Sequence, residues 1–447
     1  PSHPKPCQRL KEIVFALVDS FFLFDHLFYL NWKLTHPSDT VYGENPTFFS
    51  GEIRTIKAPT TALQESMRFL YLLAFSFLIA ACSAPENAIE IQFADSPDRT
   101  WIGPQFYANR MLDWELRDGR LQSIEGRSAK PMRTVHLLTR YLKEEEGSLH
   151  MSVVTGPVHT PDMATDSTWS GFLIGAGGSE VDYKISALVH HWPAPGGGLF
   201  AGIDGTGHII VRDNENPDAI RRARADFTTK TWPLIEPDIS EGKVSVLSQV
   251  GIRVMATPND GTYSMVVEAF DPSTDEVQSH AVYTGLDPKY FSGSLAIVSH
   301  RSPSSEGAGY WFDHWNIEGS KVAKDESRAF GPVMGVQYTV SGGVLKMTAQ
   351  MGPLGADDAK VADLQIQQDG AWKTVSSGEL EPNGFTIGFR VEDWAEQKDT
   401  PFRVMYSLWE GPSPVTHYYD GTIHSMVGGD EFILAALNCQ GGLLDIF

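Results

Sequence analysis

The sequence is poor in cysteine, with only Cys7, Cys82 and Cys439 along its 447 residues. So few thiols, spread this widely, give no basis for a disulfide framework. Positive charge is scarce as well, with 35 Lys and Arg against 56 Asp and Glu and a formal net charge of −21. That balance excludes nucleic acid as a partner, because phosphate binding needs clustered Lys and Arg. It equally disfavours electrostatic adhesion to anionic lipid. Several motifs of chemistry are missing: there is no Gly-x-Ser-x-Gly elbow, no His-Glu-x-x-His zinc pair and no Walker loop. Gly196, Gly198 and Ala201 match a dinucleotide fingerprint superficially, but Asp204-Gly205 follows where a helix should run.

What is present begins with an export signal. Met67, the first methionine, is followed by Arg68, an apolar run over residues 69–79 and then Ala80-Ala81-Cys82. A charged start, a short apolar segment and small residues at a processing point are the parts of a secretory signal. The run falls short of the roughly 20 apolar residues that span a bilayer. Ile79-Ala-Ala-Cys82 resembles the lipobox of bacterial lipoproteins, which implies a lipid on Cys82, a membrane anchor and an extracytoplasmic address. A signal peptide without lipid fits the same layout. Residues 1–66 then read as spurious upstream sequence, the alternative being a genuine extension. Residues 67–82 are the signal peptide and residues 83–100 a polar tether.

Beyond residue 100 the pattern is β. Asp118-Gly119, Asp204-Gly205, Asp260-Gly261, Asp369-Gly370, Asn383-Gly384 and Asp420-Gly421 are pairs favoured where hairpins need positive φ. Between them, residues 183–190 alternate as a strand, residues 262–270 and 294–299 read as strands, and Phe385, Ile387, Phe389 and Val391 repeat with a period of two. Residues 131–145 are expected to be partly helical, and residues 217–225 to hold a short turn. Trp311, Asp313 and Trp315 are expected to share one face of a strand. Many short strands with glycine-rich turns predict an all-β protein built of sandwiches. A charged stretch at 321–328 marks a boundary between a sandwich over 101–322 and a smaller one over 323–430. Residues 431–447 open on a continuous apolar run over 431–440 that ends in Asn-Cys-Gln-Gly-Gly, suited to the first strand of an α/β layer that continues past Phe447.

The order of these parts resembles a family. Gly198-Leu-Phe-Ala-Gly-Ile-Asp-Gly-Thr-Gly207 and Tyr310-Trp-Phe-Asp-His-Trp315 are similar to strand pairs of concanavalin or laminin-G-like jelly rolls. The second module resembles an immunoglobulin or fibronectin-like sandwich. Phe432-Ile-Leu-Ala-Ala-Leu-Asn-Cys-Gln440 is similar to the first catalytic strand of bacterial PhoD-like metallophosphoesterases. The resemblance implies an accessory, substrate- or glycan-positioning region of a membrane-anchored phosphoesterase. It implies a divalent metal, calcium or iron, in the catalytic domain, with Cys439 as a ligand. The family's Asp, Asn and His ligands would lie beyond Phe447, so this stretch alone is expected to be inactive.

Other candidates come from the residues themselves. Trp169, His190 and Trp192 offer aromatic and imidazole surface for a glycan, against the plainer reading of core packing. Asp204, Asp213, Asn214 and Asp313 offer hard oxygens to calcium, or serve as turn residues. Two rival functions stand beside the phosphoesterase reading. One is a carbohydrate-binding surface lipoprotein without catalysis. The other is a polysaccharide lyase using Tyr183, Lys184 and His190, provided these lie close together.

Overall fold

The computed structural model describes residues 87–126, 132–159, 162–216, 218, 233–245, 249–302, 306–395, 397–411 and 413–425. The turn chemistry sets the fold. Asp118-Gly119, Asp260-Gly261 and Asp369-Gly370 all take positive φ at both residues and join consecutive antiparallel strands. That is the turn geometry whose twist matches the flanking strands. Asp204-Gly205 and Asn383-Gly384 stand at turns without positive φ, and Asp420-Gly421 lies inside the strand Ser413–Ile423. Gly421 is needed there because a Cβ would stand 2.6 Å from the Phe402 ring.

The architecture is all-β, a concanavalin-like jelly-roll sandwich followed by a small immunoglobulin or fibronectin-like sandwich. The first sandwich faces a nine-stranded sheet against a seven-stranded one. The larger runs Ile239–Gly242, Val277–Leu286, Thr262–Phe270, Val250–Asn259, Leu149–Pro157, Tyr310–Glu318, Arg120–Ser123 and Trp114–Arg117. The smaller runs Val322–Lys324, Met132–Leu142, Gly293–His300, Trp169–Gly177, Leu199–Asp204 and Ile209–Asp213. Ile89–Ile91 and Phe106–Tyr107 complete them. Val135, Phe172, Ile297, Val254, Met265 and Trp315 meet between the sheets in one core.

Two expectations fail here. Residues 131–145 form the strand Met132–Leu142 rather than a helix, because Thr134 and Val135 are β-branched and both strand edges find partners. Residues 183–190 hold the helix Tyr183–Val189 rather than a strand. Asp182 caps it by accepting the Lys184 N–H at 2.9 Å, a local bond that an alternation pattern does not reveal. The expected turn at 217–225 lies outside the described residues, apart from Asp218.

The second sandwich has strand order Val333–Ser341, Val344–Met351, Thr386–Val391, Ala371–Glu381, Val361–Gln368, Thr400–Glu410, Ser413–Ile423. Ala371–Glu381 changes layer, pairing with Val361–Gln368 along most of its length and with Thr386–Val391 at Leu380 and Glu381. Its core includes Leu345, Leu364, Phe389, Val404 and Tyr406, together with Trp101. Residues 87–100, read above as tether, are ordered: Ile91 pairs with Trp315, and Arg99 bridges to Leu116.

Candidate functional site

An antiparallel sheet in a sandwich commonly packs one face and solvates the other. The smaller sheet of the first sandwich departs from this, since Met132–Leu142, Trp169–Gly177, Leu199–Asp204 and Gly293–His300 are buried almost throughout. One alternating set enters the core between the sheets. The other set builds a second apolar layer on the outer face, from Met132, Trp169, Leu173, Phe200, Ile210, Ala296 and Val298. Thr134, His136, His300 and Arg212 are buried on the same strands.

Strand register explains the contacts in this layer. Trp169 and His300 are directly opposite across their strands, and their rings stack at 4.0 Å and 11°. Phe200 meets Trp169 edge-on at 4.3 Å, and the Arg212 guanidinium lies 5.6 Å from the indole. Burial, reinforced by the Arg212 charge, holds the His300 imidazole well below its ordinary pKa. His136 sits opposite Ala296 on one side and Tyr107 on the other. Burial, then the neighbouring His190 and His191, pushes its pKa down to about 3. It is therefore neutral near pH 7, with one ring N–H to donate and one nitrogen to accept. Among the described residues neither nitrogen has a hydrogen-bond partner, and neither does the Thr134 hydroxyl. Buried polar groups are nearly always paired, so this pair of side chains calls for an explanation.

The helix Tyr183–Val189 and the glycine-rich segment after it lead to this face. His190 closes the helix and is buried. Its Nε2 lies 3.1 Å from the Pro195 carbonyl, which can only accept, so Nε2 carries the proton in the neutral ring. Nδ1 then accepts from the Ser186 hydroxyl at 2.8 Å. Trp192 is half-buried against the apolar layer, stacked on His191 at 5.3 Å and 16°. Trp169 and Trp192 are thus brought together, with His190 beside them. Trp169 has no exposed ring face, so sugar stacking falls to Trp192. Tyr183 and Lys184 start the helix that His190 ends, which separates them by roughly 10 Å at 1.5 Å per residue. The proposed lyase trio is not assembled.

The calcium candidates are also apart. Asp204 accepts the Thr206 N–H and hydroxyl and the His208 N–H at 2.7–3.1 Å, closing its own turn. Asp213 accepts the Glu215 N–H at 2.8 Å, at the opposite end of the same hairpin. The Asn214 amide donates to the Gly197 carbonyl at 2.8 Å and so anchors the glycine-rich segment. Asp313, in the other sheet, accepts the Phe93 N–H at 3.1 Å. Among the described residues no group of three or more His, Cys, Asp or Glu is arranged to hold a metal ion. Cys82 and Cys439 lie outside the described residues.

Trp311, Asp313 and Trp315 do not share a face. Register slips between Asp313 and Asn316, with His314 at φ +50°, so Trp315 turns into the core while Trp311 packs outside under Arg120. His136, Thr134 and His300 are not among the sequence candidates, the first two because a partly helical pattern over 131–145 hides the face they share. The alternation of Met132, Thr134, His136 and Leu138 against Arg133, Val135 and Leu137 was the available signal.

No protein-family model matches the sequence, and no curated protein matches it. Among solved structures, the chain is similar to a lectin UEA-II complexed with galactose, at 13% identity, covering 52% of this chain and 98% of that one, with a TM-score of 0.33. It is similar to the carbohydrate recognition domain of Emp47p at 12% identity, covering 53% and 90%, with a TM-score of 0.28. It is similar also to arcelin-5, a lectin-like defense protein from Phaseolus vulgaris, at 8% identity, covering 53% and 99%, with a TM-score of 0.32.

Proposed function

We propose that the first sandwich binds a glycan at the outer face of its smaller sheet, as the substrate-positioning region of an extracytoplasmic lipoprotein. The observation that carries this reading is the unpartnered His136 imidazole and Thr134 hydroxyl beside an aromatic layer. A sugar offers hydroxyls that both donate and accept, together with apolar C–H faces that pack on aromatic rings. Trp192 stands at the rim, and entry requires the segment from His190 to Gly198 to shift. Glycan-array binding by the whole chain, lost on Trp192→Ala and weakened at least about tenfold on His136→Phe, is the expected result. A correctly folded protein that binds no glycan would sink the reading.

In this reading the hydrolytic step belongs to a metal-dependent phosphoesterase domain, with Cys439 among its metal ligands. The support is the resemblance of residues 431–440 to that family's first catalytic strand, joined to the lipobox at Cys82. The protein encoded by the full gene is expected to cleave a phosphodiester only with divalent metal, and Cys439→Ala to reduce metal content. Absence of metal-ligand motifs from the gene downstream of codon 447 would refute it.

A further inference from the structure

The four-stranded layer of the second sandwich carries a cation with no ion-pair partner among the described residues. Arg403 projects from Thr400–Glu410 between two aromatic rings, with its guanidinium carbon 4.5 Å from the Trp372 ring centre and 4.1 Å from that of Tyr418. Its Nε donates to the Gln365 side-chain oxygen at 2.7 Å. Gln365 is itself held, its amide nitrogen 3.2 Å from the Thr374 hydroxyl and 3.7 Å from the Met405 sulfur. Both faces and one edge of the guanidinium are therefore occupied. The edge formed by Nη1 and Nη2 has no hydrogen-bond or carboxylate partner among the described residues.

Among the described residues Arg120 also lies over an aromatic ring without an ion pair, but over one ring only, that of Trp311 at 3.9 Å. Arg328 is similarly enclosed by Tyr141 and Tyr183, at 4.0 and 4.6 Å, but it is tied to Asp325 at 3.1 Å. Arg253, over Phe270, is paired with Glu268 and Asp275. Arg403 has Asp420 directly opposite on the neighbouring strand and still makes no ion pair with it. Stacking surrenders a guanidinium's freedom before a ligand arrives, so less is lost when its planar fork closes on a two-oxygen acceptor. Tyr418 is 48% exposed, which leaves the fork open to solvent on that side.

We propose that Arg403, clamped by Trp372, Tyr418 and Gln365, is a binding site for one oxoanion group on an otherwise neutral sugar. Carboxylate, sulfate and phosphate all present two oxygens at the spacing of the Nη1–Nη2 edge. The net charge of −21 sets a limit on the ligand: a polyanion is repelled by the whole molecule, whereas an isolated anionic group meets this fork with Asp420 as the opposing charge on the neighbouring strand. The site lies on the other sandwich from His136 and Trp192; that the oxoanion is carried by a sugar rests on the glycan reading above, whereas the oxoanion preference at Arg403 is tested separately from it.

The test is calorimetric titration of the full chain with methyl glucuronide, glucose 6-sulfate and glucose 6-phosphate, using methyl glucoside as the neutral control. At least one anionic sugar is expected to bind about tenfold tighter than the control. Which arm responds identifies the oxoanion. Arg403→Lys keeps the charge but loses the planar fork, and should abolish that preference. Asp420→Asn removes the nearest opposing charge and should tighten binding a few-fold. Unchanged circular dichroism and melting of both variants keep the comparison interpretable. Equal binding of neutral and anionic sugars, or full retention of the preference by Arg403→Lys, overturns the proposal.

Discussion

Arg99 and Asp358, 259 positions apart, form a 3.1 Å ion pair with both side chains almost completely buried. Arg99 leads into the first sandwich and Asp358 belongs to the second. The same Arg99 nitrogen also donates to the Trp409 carbonyl, while Asp358 accepts the Gly355 N–H at 2.7 Å. Removing one partner strands a buried charge, which typically costs about 3–5 kcal/mol. Asp358→Ala is expected to lower unfolding stability by that amount in urea titration. The double variant Arg99→Met with Asp358→Leu should regain most of it. A single-variant cost below about 1 kcal/mol would show that the pair is solvated in solution.

Trp101 extends this link by packing in the core of the second sandwich, at 3% exposure, although its chain neighbours belong to the first. Gly331 and Gly352 accommodate its ring, since a Cβ at either would lie 2.7–2.8 Å from an indole carbon. Trp101→Ala should destabilise the protein by about 3–5 kcal/mol, as expected for loss of a large buried side chain. Gly352→Ala should act in the same direction, and differential scanning calorimetry reads both.

The buried histidines make stability depend on pH. His136, His190 and His300 all have folded-state pKa values below the ordinary imidazole value, each chiefly through burial. The unfolded chain therefore binds more protons than the folded one below about pH 6.5, and stability falls as pH falls. For His136 the loss continues down to about pH 3, at about 1.4 kcal/mol per pH unit. His136→Phe should flatten the slope of unfolding free energy between pH 6 and 4 by about that amount. An unchanged slope would show that the imidazole is accessible to water.

The bulge at His314 sets which way two tryptophans face. Deleting His314 leaves Phe312, Trp315 and Ile317 in strict alternation on the inner face, so Trp315 should stay buried, whereas a loss of more than about 3 kcal/mol with a changed indole signal would show that the bulge itself is required. His314→Gly keeps the bulge and relieves a positive φ of 50°, so its effect should stay within about 1 kcal/mol of neutral or be stabilising. Near-ultraviolet circular dichroism separates the two outcomes.

The sequence by itself determined the all-β class, strands such as those at 262–270, 294–299 and 386–391, and three hairpin turns, because these are local properties. Period-two alternation survives in Phe389 and Ile387, and three of the Asp-Gly pairs, at 118, 260 and 369, take positive φ in hairpin turns. It also carried the candidates Trp169, Trp192 and His190, though not the roles of each. What the tertiary structure decided was everything that depends on a neighbour distant in the chain. The strand at 132–142 turned on partners more than 150 positions away, whereas the helix at 183–189 follows from a local cap at Asp182 that alternation does not report. The face shown by Trp315 turned on a slipped register. Cross-strand pairing put His300 on Trp169, and placed His136 among apolar side chains with no hydrogen-bond partner. Burial and pairing are sums over such contacts, so no window along the chain holds them.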